Sequence, residues 1–292
     1  MSWKALLVKL LSVLLRPGWR ARCVGVPVCR LLRALAPRKN VARRNIAIAL
    51  PDASDAQRRA VLSGTYDNLV WTGLEFIMLQ RNPRQVLEWV EAEGDEILES
   101  CRGRGAILLT GHVGNWELTA AWVAQRGHRL TAIVRESDDR GERGLIEGMR
   151  ARLGVRSLSK RAPMTRAVSL LRRGEFLGIL PDQHGGRDGI RVPFFGIPTS
   201  TSLGSAAFAY LTGLPIVPLF SQRIAPCRHK LTVFPPLEWK RAADRDATIE
   251  EITVKVNRAM ERMVLEAPDQ WLAQHKRFKE LYGGGREKTA PR

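Results

Sequence analysis

The sequence predicts an α/β fold with a mostly parallel central sheet flanked by helices, preceded by a helical N-terminal region that associates with a membrane. From residue 105 onward, short apolar runs alternate with helical patterns, which is typical of parallel strands joined by crossover helices. Before residue 100 the patterns are helical throughout. The 292 residues suffice for a large core, and the 45% apolar content is ordinary for a globular protein.

Residues 1–40 form the predicted membrane-associating helices. An apolar set recurs at helical spacing beside basic residues, which indicates an amphipathic helix lying in a membrane interface. Its members are Trp3, Leu7, Leu10, Leu11 and Leu14. The apolar run 5–15 is about half of the ~20 residues that a spanning helix needs. No small-residue cleavage site of a signal peptide follows it. A helix that packs on the protein core is the alternative interpretation.

The remaining elements follow in chain order. Two helices are predicted over residues 55–79 and 83–100, and Asp52 or Ser54 is suited to cap the first. The strand candidates are residues 106–110, 130–134, 176–180, 215–220 and 230–234. The helix candidates between and after them are residues 116–125, 143–153, 163–173, 202–212 and 248–266. We expect residues 41–282 to form the α/β domain and residues 283–292 to be a disordered tail.

The charge balance restricts the partners. There are 47 Lys and Arg against 29 Asp and Glu, a net charge of +18. Such a chain is attracted to polyanions, namely nucleic acid, an anionic bilayer surface or an acidic protein. Its cysteines (Cys23, Cys29, Cys101 and Cys227) contain no C-x-x-C pair, which argues for a reducing compartment without a disulfide framework or zinc ribbon.

The candidate catalytic residues follow the strand predicted at 106–110. His112 and Glu117 are five residues apart, a spacing that does not share one face of a helix. We therefore expect His112 in a loop over residues 111–114, turned back toward Glu117 on the next helix, with Asn115 as the N-cap. An imidazole beside a carboxylate forms a general-base pair. One His near one Glu is common, but a position after a parallel strand faces the cleft of such sheets.

Further segments carry polar or aromatic groups that are candidates for the same edge of the sheet, where the parallel strands end. Arg135 follows the strand predicted at 130–134, and Arg150 lies one helix later. Asp182 and Gln183 open a Gly-rich loop after the next strand. The pair Phe194 and Phe195 and the segment QWLAQHKRFK (270–279) are the other two candidates. Each has an ordinary alternative: solvated charges, a turn cap, core aromatics and a charged, exposed helix end.

Several catalytic motifs are absent from the sequence. There is no G-x-S-x-G elbow, Walker P-loop, G-x-G-x-x-G after a strand or H-E-x-x-H. His112, Glu117, Asp182 and His184 have acceptable metal-ligand chemistry, but their spacing fits no standard site. We therefore expect neither a metal nor a cofactor.

Together these segments resemble the lipid A biosynthesis lauroyl and myristoyl acyltransferases, the late acyltransferases of the wider glycerolipid acyltransferase group. The resemblance runs from about residue 5 to about residue 280. The segments that carry it are VARRNIAIALP (41–51), GHVGNWE (111–117), VRE (134–136), PDQHGG (181–186), VPFFG (192–196) and QHKRFK (274–279).

The resemblance implies transfer of a fatty acyl chain to a hydroxyl of a lipid A precursor, an anionic lipid, at the cytoplasmic face of the cell inner membrane. The donor is an acyl carrier protein thioester or acyl-CoA. The family's histidine and acidic residue fall on His112 and Glu117, its basic residue on Arg150 and its strand-end aspartate on Asp182. Glu117 would then fix the tautomer of His112, as the carboxylate does in a serine triad.

The substrate-binding assignments follow from these positions. Arg150 would bind an acceptor phosphate or the oxyanion, for which backbone N–H groups near Asn115 are the alternative donors. Phe194 and Phe195 would wall the acyl channel. The full substrate-binding set is Arg150, Asp182, Arg135, Gln183, Asn115, Phe194 and Phe195.

Parts of the sequence also fit a different acceptor or a different function. The acceptor is alternatively a phospholipid or a glycolipid such as a phosphatidylinositol mannoside, because those acyltransferases share the motifs. A nucleic-acid-binding protein would fit the charge, but no recognition motif supports it, so no nucleic-acid partner is expected. A metal-dependent hydrolase would lose activity with a chelator, and a purely structural membrane protein would tolerate replacement of His112 and Glu117.

Overall fold

A computed structural model describes residues 3–135 and 139–282. Its helices are α1 (Trp3–Leu14), α2 (Trp19–Leu35), α3 (Lys39–Ala49), α4 (Asp55–Leu79), α5 (Val86–Trp89), α6 (Glu96–Ser100), α7 (Trp116–Gln125), α8 (Arg140–Arg152), α9 (Met164–Arg172), α10 (Gly204–Thr212) and α11 (Arg245–Glu266). Its strands are β1 (Val90–Glu93), β2 (Ala106–Leu109), β3 (Leu130–Val134), β4 (Val155–Ser159), β5 (Phe176–Ile179), β6 (Ile190–Phe194), β7 (Ile197–Thr201), β8 (Ile216–Ala225) and β9 (Arg228–Val233).

Seven of these strands form a central sheet in the order β1-β9-β8-β2-β5-β3-β4. Every neighbouring pair in it is parallel except β8 and β9, which form an antiparallel hairpin. β6 and β7 form a separate antiparallel pair. The predicted α/β fold with a mostly parallel sheet flanked by helices is therefore confirmed.

The sheet is buried on both faces, as the short apolar runs require. Along β2, Ile107 and Leu109 join one hydrophobic cluster with β5, α9, α10 and α11. Ala106 and Leu108 point the other way, into a second cluster built with α4 and α7. The space between this second face and α7 holds the candidate site.

The N-terminal region is helical, as its spacing predicts. α2 packs on α4, where Arg33 forms an ion pair with Asp67 at 3.1 Å. α1 nevertheless leaves large apolar side chains in solvent, with Leu10 54% and Leu14 56% exposed. Within residues 3–135 and 139–282, no helix has the length and apolarity needed to cross a bilayer. Attachment of this region to a membrane surface stays a prediction.

The structure corrects several of the predicted elements. The helix predicted over residues 83–100 is instead a short 3₁₀ turn, α5, β1 and α6. Its centre pairs in parallel with β9, and Gly94 takes a φ of +77° that a helix does not allow. β4, β6 and β7 are strands that the periodicity did not reveal. The tail predicted at residues 283–292 lies outside the described residues.

Candidate active site

Two neighbouring parallel strands bring His112 and Asp182 together. β2 and β5 pair in register, with Leu109 opposite Ile179 at their carboxyl ends. His112 follows residue 109 by three positions, and Asp182 follows residue 179 by three. Equal offsets from paired strand ends place the two side chains at one point of the rim, although 70 residues separate them in sequence.

Asp182 holds His112 through both of its carboxylate oxygens. Oδ1 lies 2.8 Å from His112 Nδ1, and Oδ2 accepts from the His112 backbone N–H at 3.0 Å. The Trp271 indole N–H donates to Oδ2 at 3.3 Å. Because a carboxylate only accepts, the imidazole proton lies on Nδ1 and Nε2 keeps its lone pair. The expectation that Glu117 fixes this tautomer is wrong, because Asp182 occupies that place.

Asp182 stays ionised in this environment. Burial alone would raise the pKa of its carboxyl, but the contacts with His112 and the nearby charge of Arg277 outweigh burial and lower the pKa below its usual value. The carboxylate therefore remains an acceptor for His112 throughout the neutral range.

Glu117 binds Arg150 and not His112. Arg150 Nε donates to Oε2 at 3.0 Å and Nη2 donates to Oε1 at 2.5 Å, the two-pronged geometry that suits guanidinium and carboxylate. Both side chains line the same cavity as His112. Arg150 is thus in the site, as expected, but it shares its charge with Glu117.

The loop between His112 and α7 is held against β8. Gly114 has a φ of +64°, and a Cβ there would lie 1.6 Å from the Ser221 carbonyl oxygen, so only glycine fits. Asn115 caps α7 as predicted by accepting from the Leu118 N–H at 3.0 Å. Its Nδ2 donates to Glu75 at 2.8 Å, and the residue is fully buried. Asn115 is therefore a structural cap that does not face the cavity.

A buried ionic network that is not among the predicted features packs behind this loop. Glu75 of α4 accepts from Arg223 Nη2 at 2.8 Å, from His229 Nε2 at 3.1 Å and from the Cys227 N–H at 2.9 Å. Burial alone would raise the pKa of Glu75, but Arg223 and His229 outweigh it and hold the pKa well below its usual value. The signal was present in the sequence, since Glu75 is a lone acid in an apolar stretch of α4.

A cavity of about 410 Å³ opens at the His112–Asp182 pair, called the dyad below. At its mouth, the Trp116 ring meets the His112 ring edge-on at 5.0 Å. The Gln183 amide nitrogen lies 3.4 and 3.5 Å from the two His112 ring nitrogens, so it is not aligned with either lone pair. The other ionisable side chains that line the cavity are Glu117, Arg135, Arg150, Lys160, His184 and His275. Of these, Lys160, His184 and His275 are not among the predicted catalytic or substrate-binding residues.

The inner part of the cavity is apolar because small residues lie at the centre of the sheet. Gly178 of β5 pairs with Leu108 on one side and Ala132 on the other. A Cβ at Gly178 would make ordinary van der Waals contacts with Leu130 and Ala132 atoms, at 3.6 to 3.9 Å, so a small side chain is sterically tolerated at this cavity-lining position. Leu130, Val155 and Val123 are among the bulkier apolar residues that line the cavity.

Phe194 and Phe195 do not line this cavity, contrary to the acyl-channel assignment. They end β6 and begin its turn into β7, where Phe195 and Gly196 both have positive φ, as a tight type I′ turn requires. The Phe194 ring is fully buried and packs 5.8 Å from Phe278, while the Arg277 guanidinium lies 4.5 Å above it. The pair is part of the core because the hairpin folds inward.

A C-terminal strap, residues 270–282, packs against the loops that carry His112 and Asp182. It is irregular and mostly buried, not the exposed helix end considered above. Leu272 N–H donates to the His112 carbonyl at 2.8 Å. Arg277 is fully buried and donates to the carbonyls of Ser200 at 2.6 Å and Gln183 at 3.1 Å. The strap therefore positions both loops that carry the dyad.

Metal-ligating side chains do not cluster in the part of the chain that the structure describes: no group of three His, Cys, Asp or Glu residues there is arranged to hold an ion.

Sequence comparisons show which proteins this chain resembles. Residues 2–280 match the family of bacterial lipid A biosynthesis acyltransferases. The chain is 25% identical to the lipid A biosynthesis palmitoleoyltransferase of Escherichia coli (strain K12) over 254 residues, which cover 84% of this chain and 80% of that protein. It is 23% identical to a lipid A biosynthesis acyltransferase of Haemophilus influenzae over 258 residues, 83% and 78% of the two chains. A phosphatidylinositol mannoside acyltransferase of Mycobacterium tuberculosis is 28% identical over 120 residues, 40% and 38% of the two chains.

These matches define the class of protein first: the chain is an acyltransferase. It belongs to the bacterial lipid A biosynthesis acyltransferase family, since the match covers nearly the whole chain.

Proposed function

We propose that this protein is a membrane-associated O-acyltransferase that moves a fatty acyl chain from an acyl carrier protein thioester to a hydroxyl of a lipid A precursor. His112 is the general base. The observation that carries the proposal is the His112–Asp182 dyad at the mouth of a cavity whose inner part is apolar. Such a site suits two substrates. One is a donor with a long apolar acyl chain, and the other is an acceptor whose hydroxyl must lose its proton to attack.

The reaction needs one proton acceptor and no covalent enzyme intermediate. As the acceptor hydroxyl attacks the thioester carbonyl carbon, His112 Nε2 takes its proton and a C–O bond forms. The tetrahedral intermediate then collapses, the C–S bond breaks, and the leaving thiolate takes the proton from His112. Asp182 stabilises the imidazolium in between, as the carboxylate does in a serine triad. General-base assistance of this kind contributes about 10²–10⁴ in rate.

The acyl chain occupies the inner cavity in this proposal. Gly178 and Ala132 form its floor on the sheet, and Ala120 and Val123 of α7 form its roof. Burial of the chain there is favourable by roughly 0.8 kcal/mol per methylene. The thioester carbonyl then lies at the mouth, beside His112.

The acceptor reaches the mouth from the side that carries cations. Arg135 and Lys160, at the ends of β3 and β4, both line the cavity and are exposed. Arg150 adds a third cation, partly neutralised by Glu117. These groups suit the phosphates of an anionic lipid acceptor, because guanidinium and ammonium groups bind phosphate oxygens with charge-assisted hydrogen bonds.

The N-terminal helices provide the membrane contact. Leu10 and Leu14 of α1 are more than half exposed, as are Trp19 and Leu31 of α2. An apolar face of this kind together with a net charge of +18 supplies the two signals that stable attachment requires, which favours the cytoplasmic face of the anionic inner membrane. The same positive charge suits an acidic carrier protein as donor, with acyl-CoA as the alternative.

A glycolipid acceptor is the second candidate. The M. tuberculosis relative, named for acylation of phosphatidylinositol mannoside, matches 40% of the chain at a higher identity than the lipid A enzymes reach. Both acceptors present a hydroxyl on a phosphate-bearing lipid, so the same dyad serves either.

The deciding experiment is acyl transfer from radiolabelled lauroyl- or myristoyl-acyl carrier protein, in detergent, to three acceptors run side by side: a lipid A precursor, a lysophospholipid and a phosphatidylinositol mannoside. We expect labelled lipid A product from the wild type, with and without EDTA. His112→Ala should lose it by about 10²–10⁴, in line with loss of a general base. Product with the mannoside alone would transfer the proposal to the second acceptor, and no product with any acceptor would refute it.

Membrane attachment is tested by co-sedimentation with vesicles that contain anionic lipid. We expect the double variant Leu10→Asp/Leu14→Asp to remain in the supernatant, because it places two charges in the apolar face of α1. Leu211→Asp is the matched control, since Leu211 is also exposed but lies on α10. Equal sedimentation of the double variant and the wild type would rule out attachment through α1.

A further inference from the structure

The oxygen of the attacked thioester becomes negative, yet the loop beside His112 has few free donors for it. The N–H of His112 donates to Asp182 at 3.0 Å, that of Gly114 to the Gln270 carbonyl at 3.0 Å, and that of Asn115 to the Ser221 carbonyl at 3.2 Å. These three N–H groups are therefore already used within the protein and are not free to bind the oxyanion. A donor that faces the cavity and has no partner within the protein is suited to stabilise the carbonyl oxygen.

His275 faces the same cavity from the C-terminal strap. Its backbone is fixed, because its N–H donates to the Leu272 carbonyl at 3.3 Å and its own carbonyl accepts from Asn45 Nδ2 at 2.7 Å. Leu272 in turn donates to the His112 carbonyl at 2.8 Å. Two backbone hydrogen bonds thus tie the position of one histidine to the other.

The surroundings of the His275 ring favour one tautomer. Nδ1 is buried and has no hydrogen-bond partner among the described residues. Nε2 is not among the buried unpartnered atoms, while the side chain lines the cavity, so Nε2 is the nitrogen that is open to it. A proton on Nδ1 would be a buried donor without an acceptor, which native structures avoid. The proton therefore lies on Nε2, where it is available to a ligand in the cavity.

His275 is also neutral at working pH. Burial lowers the pKa of its ring to about 4, and the neighbouring His112, Arg38 and Arg277 add to this effect against the opposing charge of Asp182. A neutral imidazole of low basicity does not compete with His112 for the hydroxyl proton. It acts as a fixed N–H donor, the role that a neutral histidine plays as electrophile in other enzymes.

We propose that the His275 Nε2–H donates a hydrogen bond to the thioester carbonyl oxygen and stabilises the oxyanion that forms on it. This assignment rests on the proposed acyl transfer. It adds a second histidine with a role opposite to that of the first: His112 accepts the proton of the nucleophile, and His275 donates to the electrophile.

Two isosteric replacements test it, because glutamine places an amide N–H near the position of Nε2 and asparagine places one near Nδ1. We expect His275→Ala to lower kcat for acyl transfer by about 10²–10³, the usual cost of losing one oxyanion donor, with little change in KM. His275→Gln should recover most of that loss, and His275→Asn should not. Lys276→Ala, an exposed neighbour on the strap, is the matched control and should behave as wild type.

The outcomes separate this proposal from the function on which it rests. If the wild type is active and His275→Ala has an unchanged kcat, the donor role of His275 is overturned but the proposed function is not. Rescue by asparagine and not by glutamine would have the same meaning. Wild type inert toward every thioester and acceptor would overturn both. As an independent measurement, ¹⁵N NMR of the ring should show a neutral Nε2–H tautomer from pH 6 to 8, assigned by its loss in His275→Gln. A ring that titrates within that range, or carries its proton on Nδ1, would refute the proposal without any activity assay.

Discussion

Arg150 engages Glu117 with two nitrogens, at 3.0 and 2.5 Å, in the wall of the cavity. The side chains are only 20% and 12% exposed, so each charge depends on the other. Burial alone would lower the pKa of Arg150, but Glu117 outweighs it and raises that pKa. The carboxylate that lies five residues after His112 in sequence therefore holds a cation that lines the cavity and does not contact His112.

Separate roles for Glu117 and His112 are testable by kinetics. We expect Glu117→Gln to raise the KM for the lipid acceptor while leaving the pH dependence of kcat unchanged, because Arg150 loses its partner but His112 keeps Asp182. A double-mutant cycle of Glu117→Gln with Arg150→Lys, measured on kcat/KM for the lipid acceptor, should give a coupling energy between the two side chains of about 0.5–3 kcal/mol. If Glu117→Gln changed the pH dependence of kcat in the same way as Asp182→Asn does, Glu117 would also act on His112, and its separate role would be refuted.

The dyad itself predicts a large effect from a single atom change. Asp182→Asn keeps the size of the side chain but replaces an acceptor oxygen by an N–H group, which favours the wrong tautomer of His112. We expect kcat to fall by about 10³–10⁴, as it does when the aspartate of a serine triad is so changed. Asp188→Asn, an exposed aspartate in the same loop, is the control and should retain activity. Loss of less than tenfold in Asp182→Asn would remove the carboxylate from the mechanism.

Local signals in the sequence explain which elements were predictable. α4 has its predicted bounds because Ser54 and Gln57 form a reciprocal capping box, and α7 has them because Asn115 caps it. β3 also lies where its apolar run placed it. These features depend on residues within one turn or one strand.

The pairing that defines the site is not local. His112 and Asp182 meet because β2 neighbours β5 in the sheet, and strand order is not written in either strand. Both side chains were predicted at the carboxyl ends of strands, but His112 was predicted to pair with Glu117, the acid nearest to it in the chain. Glu75 shows the same limit, since its partners Arg223 and His229 come from a hairpin about 150 residues away.

The small residues in the sheet predict a change in acyl selectivity. Gly178 lies outside the positive-φ region, and a side chain there would extend into the cavity without backbone strain. If the acyl chain occupies that space, Gly178→Val should favour shorter donors, and Gly178→Ala should do so less. One methylene is worth about 10- to 200-fold in kcat/KM, so competition between acyl carrier proteins loaded with 8 to 16 carbons resolves the shift.

The control for this prediction is Gly148→Val, the same change on α8 at a position where a Cβ meets nothing. It should keep the chain-length profile of the wild type. A profile in Gly178→Val that is also unchanged would place the acyl chain elsewhere.

The buried network behind the loop predicts a stability that falls in acid. The pKa of Glu75 is lowered in the folded protein, so the unfolded chain binds a proton first as the pH falls through about 4.3, and folding stability is lost there. Burial lowers the pKa of His229, so its contribution is full above the unfolded value near 6.5 and declines as the pH falls below it. Both groups therefore act in the same direction, with the decline beginning below pH 6.5 and steepening near pH 4.

Glu75→Gln should reveal the size of this network. It leaves Arg223 buried, 7% exposed, without a countercharge, and breaking a buried pair in this way costs about 3–5 kcal/mol. Urea unfolding at pH 7, 5.5 and 4 should show that loss at pH 7 and a smaller further decline toward pH 4 than in the wild type, because the glutamine does not titrate. Glu91→Gln, whose side chain is 89% exposed, should stay within about 0.5 kcal/mol of wild type. If Glu75→Gln unfolds with the free energy and acid dependence of the wild type, the network behind Asn115 does not support the loop that carries His112.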